Sequence, residues 1–298
     1  MRHNNQGTIL LLTLVILAIL STLIIEFSYT IYTSINAFHN WEQGQKLSYI
    51  AQSGIKLGTQ FIKETLKQTQ INQSVMVLSP ELGSPLVGEI LKEENLTLQI
   101  EDENAKFNLN KLVSLNGLAN QGAYEALCRL LNQLHLSSEI ADRIVDWIDP
   151  DHEPRIDDSE EEAQNAPLDS IDELCIIPGI KPEACEKLLP YVTIYSNGLI
   201  NINTASKPVL KCLSKDITAD LAKRIIDHRQ INPFEKAADI MKVTGFENLG
   251  LSLIGKVSVK GSVFEIKSIA ASGGIKKEII CVVDCSHTPP IVKYWKEF

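Results

Sequence analysis

Residues 8–25 read TILLLTLVILAILSTLII, eighteen residues without a charge, thirteen of them Leu, Ile or Val. As a helix the run is about 27 Å long, close to the hydrocarbon thickness of a bilayer. Thirteen such side chains favour insertion by roughly 4 to 8 kcal/mol before the Thr and Ser residues are discounted. A cleaved secretory signal has an apolar core of roughly 7–15 residues followed by a small-residue cleavage site. Here the run is longer, and Glu26, Phe27 and Tyr29 follow it. We read a membrane anchor. The leader before it, MRHNNQG, carries Arg2 as its one fixed side-chain charge, which keeps the N-terminus cytoplasmic and puts the bulk of the chain across the membrane.

Working outward, Leu47, Ile50, Ala51, Gly54, Gly58, Phe61, Ile62 and Leu66 recur every three to four residues and make one apolar stripe. A single helix from about Thr8 to Lys67, half in lipid and half amphipathic, accounts for both segments. Ser79–Pro85, a Pro/Gly/Ser break, ends it. Leu96–Glu101 alternates apolar and polar as a half-buried strand does, and Ala105–Phe107 is expected to form a second short one. Helical stripes follow at Tyr124, Leu127, Leu130 and Leu134, then at Ile140, Ile144 and Ile148, with Ser137 or Ser138 as N-cap. Strand patterning returns at Lys256–Ile266 and Lys277–Val283, joined through Gly273-Gly274. The order predicts an α+β fold in which early and late strands share a sheet and an all-α domain is inserted between them.

Of the 298 residues, 44% are hydrophobic and 22% charged, which is globular and not disordered composition. The net charge of −9 disfavours a fold-wide basic surface for nucleic acid. Residues 139–174 alone hold fourteen Asp/Glu against two Arg. Within them Asp149, Asp151, Glu153, Asp157, Asp158 and Glu160 run near the spacing of an EF-hand loop, with hard oxygen ligands suited to Ca²⁺. Pro154 stands where an EF-hand needs Gly, so a looser carboxylate cage is the candidate, against a plain solvated acidic loop. The six histidines show no metal spacing, and no nucleophile elbow or phosphate loop is present, so no enzyme is expected. Leu174–Tyr191 and Phe234–Leu249 resemble helix-hairpin-helix (SAM-like) units. Each offers one hairpin Gly, and the basic stretch 207–242 nets only +3, so they read as packing modules. Cys175 and Cys185 flank a hairpin and are the disulfide candidate. Cys281 and Cys285 sit about 13 Å apart if the strand holding them is regular, too far for a bridge.

A short polar leader ending in Gly7, then a long apolar helix turning amphipathic, resembles the type IV pilin and pseudopilin class. Three internal segments narrow it. FNLNKLV at 107–113, DWIDPDHEP at 146–154 and ININTAS at 200–206 resemble, in order, segments of the minor pseudopilin K family of type II secretion. Leu12 stands at the mature position where other pilins carry Glu, and this family also lacks that Glu. The resemblance implies cleavage after Gly7 by a prepilin peptidase and methylation of Thr8. It implies an inner-membrane protein with a periplasmic domain, other minor pseudopilins as partners at the pseudopilus tip, and no nucleic acid. It also implies Ca²⁺ beside the acidic motif through a Gly-Ala-Glu-Asp segment, for which this chain has Ser159–Ala163 without the Gly. On this reading the chain divides into a leader (1–7), the spanning helix (8–25), its periplasmic part (26–78), a pilin-like sheet (79–108 and 257–298) and two helical subdomains (109–199 and 200–256). The competing reading is a membrane-anchored helix-hairpin-helix DNA receptor of competence type. It leaves the leader Gly, the flanking strands and the acidic run unexplained.

Overall fold

The computed structural model describes residues 5–68, 75–78, 95–114, 116–157, 159–161 and 163–298. Helix α1 spans Asn5–Gln68, 64 residues in one continuous rod. At 1.5 Å per residue it is about 96 Å long. Its large apolar side chains from Ile9 to Trp41 are exposed. Among the described residues it is the one helix long and apolar enough to cross a membrane. From Leu47 the helix changes role, because Leu47, Ala51, Ile55 and Ile62 recur on one side and are buried against a sheet.

That sheet has the order β1 (Val75–Leu78), β2 (Asn95–Asp102), β7 (Val263–Ser272), β8 (Ile275–Asp284) and β9 (Ile291–Glu297), antiparallel throughout. Early and late strands do share it: Asn95 pairs with Ala271 and Asp102 with Phe264. The period of two puts Leu96, Leu98 and Ile100 on the face toward α1, with Phe264, Ile266, Ile279 and Cys281 beside them. Strand β9 was not anticipated. Its residues are exposed or half-exposed, as on an edge strand, so no apolar alternation marks it. The described residues do not include the Ser79–Pro85 break.

Between β2 and β7 lies the insert. Two expectations need correction there. Residues 103–105 form a 3₁₀ turn, and the strand begins later, as β3 (Phe107–Asn108). Lys256–Ile266 is two strands, β6 (Val257–Ser258) and then β7, separated around Gly261. The insert is also not purely helical. β3 pairs in parallel with β4 (Val192–Thr193), and β5 (Ile200–Asn201) pairs in parallel with β6. Its helices are α2 (Gln121–Gln133), α3 (Glu139–Ile148), α4 (Pro182–Leu188), α5 (Lys207–Cys212), α6 (Ala219–Ile231) and α7 (Leu249–Leu253). Leu127, Leu130, Ile144, Leu174, Leu210, Ile225 and Phe246 belong to one continuous core that joins both halves.

The asparagine-rich motifs explain themselves at the junction. Asn104 Oδ1 accepts from the backbone N–H of Ser262 (2.9 Å) and of Val263 (3.1 Å). Asn108 Nδ2 donates to Ser196 O at 2.6 Å. Asn201 Nδ2 and Thr204 Oγ1 donate to the buried Asp102 at 2.8 and 2.7 Å. Asn203 Nδ2 donates to the carbonyls of Phe234 and Val259, both at 2.9 Å. An amide side chain offers both donor and acceptor, so it can supply the bonds that are missing where these two-residue strands end and the chain segments cross. The junction sits at the end of the sheet away from the apolar half of α1. Gly54 packs by Leu96 and Gly58 by Ile266, further along the strands toward Asp102, whereas the β7–β8 turn at Gly273-Gly274 lies beside Trp41 and Gly44.

Candidate metal centre

Three carboxylates gather where α3 ends. Asp146 lies in the last turn of α3, Asp149 is its C-cap, and Glu160 returns from the following loop. One oxygen from each comes within 4.8 Å of the others. Asp146 and Asp149 are buried and Glu160 half-buried. The fold locks them locally. Asp146 Oδ2 accepts from the Arg155 backbone N–H at 2.9 Å and from the Ser159 hydroxyl, which pulls the loop back onto the helix end. The Asp149 N–H donates to Val145 O at 2.8 Å and closes the last turn. Asn165, with φ at +52°, donates its N–H to Trp147 O at 3.0 Å. With its amide turned to satisfy both ends, Asn165 donates to Glu160 Oε2 (3.3 Å) and Asp149 O (3.1 Å) and accepts from His152 Nδ1 (2.9 Å).

The electrostatics are those of a site short of positive charge. Burial, and after it the negative charges of Asp151, Asp146 and Glu160, push the Asp149 carboxyl up to about 6. Burial and the charges of Asp146 and Asp151 also raise Glu160. Arg155 Nε stands 3.5 Å from Asp146 Oδ1. One arginine against three clustered carboxylates leaves an excess of negative charge. Asp146 Oδ1, Asp149 Oδ1 and Glu160 Oε1 are buried and have no hydrogen-bond donor. Buried carboxylate oxygens without donors are costly unless a cation meets them. Hard oxygen donors of this kind fit Ca²⁺.

Of the residues singled out in sequence, Asp149 and Glu160 come together. Asp151, Glu153 and Asp157 are exposed and stand outside the three, and Asp158 lies outside the described residues. Asp151 Oδ1 instead accepts from the Glu153 N–H at 2.9 Å, an Asx turn. Asp146 was missed as a ligand candidate because the spacing count began at Asp149. Its signal was present, three residues earlier on the same helical turn. Elsewhere, Gly7 and Thr8 are exposed in the first turns of α1. Cys175 and Cys185 are disulfide-bonded, with Cα atoms 5.4 Å apart. β8 runs to Asp284, and Cys281 and Cys285 are free thiols.

Comparison with known proteins shows the family. Residues 105–197 and 200–260 match two family models, each described as type II secretion system (T2SS), protein K. The type II secretion system protein K of Pseudomonas aeruginosa is 27% identical over 265 residues, covering 81% of this chain and 78% of that protein. Its Dickeya chrysanthemi counterpart is 29% identical over 126 residues, 38% of this chain and 36% of that one. The fold resembles a chain in the crystal structure of the GspK-GspI-GspJ complex of enterotoxigenic Escherichia coli, with a TM-score of 0.66 at 17% identity. That likeness covers 87% of this chain and 98% of the other.

Proposed function

The chain belongs to the protein K family of the type II secretion system, so it is a minor pseudopilin, and from that premise we propose that it caps the pseudopilus tip and initiates its assembly for export of folded proteins across the outer membrane. The position of the insert carries this proposal. It grows from the end of the sheet away from the apolar helix, so its bulk extends beyond the sheet and would obstruct a subunit stacked above. Leu12 adds a second support. In pilins a Glu at that position pairs with the N-terminal amine of a neighbouring subunit, and a leucine cannot.

The exposed apolar side chains Ile31, Ile35, Phe38 and Trp41 follow the membrane-spanning run on α1 and suit packing against the helices of other minor pseudopilins. The related Escherichia coli chain was solved with GspI and GspJ, and proteins equivalent to these are the partners we propose. A prepilin peptidase would cut after Gly7 and methylate Thr8, leaving a single-pass inner-membrane protein with its domain in the periplasm. Ca²⁺ would be held by Asp146, Asp149 and Glu160, where it would neutralise the excess charge and tie the loop to α3. The two hairpin segments serve as packing modules: Ile177, Ile180 and Leu188, like Phe234 and Phe246, enter the core of the insert. Arginines cover both hairpins, Arg143 donating to Pro178 O and Arg224 to Thr244 O. No catalytic role is proposed.

Co-purification tests the assignment. The full chain, expressed in membranes with the other minor pseudopilins and extracted in a non-ionic detergent, should elute as a defined complex. Ile35→Glu together with Phe38→Glu should release it as a monomer. A wild-type chain that stays monomeric with every minor pseudopilin would refute the proposal.

A further inference from the structure

A cleft of about 560 Å³ opens on the insert between the C-terminal end of α2, α5 and the start of α6. Arg129, His135, Lys207, Lys211 and Lys215 line it, and no carboxylate does. In a chain of net charge −9 this is a local inversion. Lys207 and Lys211 stand four residues apart on α5, a spacing at which like charges on a helix repel, and Lys215 follows in the loop after it. Among the described residues none of the three has an ion-pair or hydrogen-bond partner for its ammonium group. The walls are fixed all the same. Arg129 Nε donates to Cys212 O at 2.9 Å, and Gln133 Nε2 donates to Pro208 O at 3.3 Å, so α2 and α5 hold a set spacing.

We propose that this cleft is the docking site for a carboxylate-rich segment of a partner polypeptide. Three observations select that occupant among anions. The first is height. From Ile25, the end of the apolar run, to Gly58, beside the upper sheet, α1 rises about 50 Å. The insert begins beyond that level, out of reach of the head groups of the membrane that anchors the chain. The second is the cleft's chemistry. His135 is the one aromatic side chain in its lining, with no Phe, Tyr or Trp beside it on which successive bases could stack, as single-stranded nucleic acid requires. The third is the kind of cation. Arg129 has its Nε committed to a backbone carbonyl and its Nη1 3.7 Å from the Glu125 carboxylate, so neither edge of its guanidinium is free to grip a phosphate with two bonds. What remains is three lysines, point charges on flexible stems, which suit carboxylates presented along an extended chain. Pro208, half-buried between them, gives its backbone an apolar seat.

The test uses the full chain in a non-ionic detergent and a fluorescent ten-residue peptide of alternating Glu and Gly, read by anisotropy. Binding should weaken with added salt. The variant Lys207→Gln/Lys211→Gln/Lys215→Gln should lose about tenfold in affinity, the sum of three modest exposed ion pairs. A control removing three exposed lysines elsewhere, Lys181→Gln/Lys187→Gln/Lys260→Gln, should bind as wild type. Both variants should melt within a degree or two of wild type, since the side chains changed are solvated. Equal losses in both variants would reduce the effect to net charge and overturn the proposal. So would absence of binding, or displacement of the peptide by micromolar pyrophosphate or by single-stranded DNA, which would mark a phosphate site instead.

Discussion

Gly54 in α1 meets Ser268 in β7 with no room between them: a Cβ on Gly54 would overlap the Ser268 Oγ and stand 2.8 Å from Leu98. The contact sits in the middle of the apolar seam that fastens the helix to the sheet. Gly44, three turns earlier, has nothing within 4 Å. The two glycines of one helix therefore predict opposite signs. Gly54→Leu should destabilise the domain by about 1–3 kcal/mol through overpacking. Gly44→Ala should stabilise the helix by roughly 0.5–1 kcal/mol by restricting the unfolded chain. Thermal melts of the two variants against wild type check both.

Calcium should raise the melting temperature, because a ligand that binds only the folded state adds about 2.7 kcal/mol at one hundred times its Kd. Asp146→Asn or Asp149→Asn should remove most of that shift, and Asp151→Asn much less. Mg²⁺ should do little, since it keeps its waters and demands octahedral geometry. Equal Ca²⁺ shifts in wild type and in Asp146→Asn would exclude this site.

The pH dependence follows from carboxyls whose folded values are raised. Asp149 and the buried Asp102 both stand at about 6, against about 3.8 when unperturbed. For Asp102 burial is the main cause, opposed by its bonds from Thr204, Asn201 and Asn104. The folded state holds these protons more tightly than the unfolded chain, so their contribution is complete below about pH 4 and is lost as pH rises through 6. Metal-free protein should therefore melt higher at pH 5 than at pH 7.5. The Ca²⁺ shift should run the other way and shrink toward pH 5, because protonated carboxyls are poor ligands. A metal-free melting temperature that falls steadily from pH 7.5 to 5 would contradict this.

Reducing the Cys175–Cys185 bridge should cost about 2–3 kcal/mol, the loop-closure value for its ten-residue separation. The unfolding midpoint in urea with and without reductant measures it. Cys175→Ser/Cys185→Ser should match the reduced protein.

Processing is read most directly by mass. Co-expression with a prepilin peptidase should leave Thr8 as a methylated N-terminus, and Gly7→Leu should leave Met1-bearing precursor in the membrane. A cut beyond Ile25 would mean a secretory signal instead.

The long helix was legible because an uncharged apolar run and a stripe of period 3.6 are local properties of the chain, and no distant contact can make 8–25 polar. The same holds for β2, whose alternation survives because one face is covered by α1 and the other is wet. Strand β9 carried no such mark, since an edge strand exposed on both faces needs no pattern; β8 pairs with it through backbone bonds, and contacts distant in sequence hold it, Ser48 donating to Glu297 and Tyr294 packing on Tyr195. The acidic run could be counted in sequence, but its ligand set could not. Asp146 joins Asp149 by helix geometry, and Glu160 arrives only because Ser159 and the Arg155 backbone bond back to Asp146. Likewise Lys207, Lys211 and Lys215 read as part of a nearly balanced segment until the packing of α2 brought Arg129 beside them and left their acidic neighbours outside the cleft. Periodicity and hydropathy are summed along the chain, and the sequence alone determined whatever depended on them. Sites depend on which side chains meet across turns and helix faces, and that is set by backbone closure, which only the tertiary structure decided.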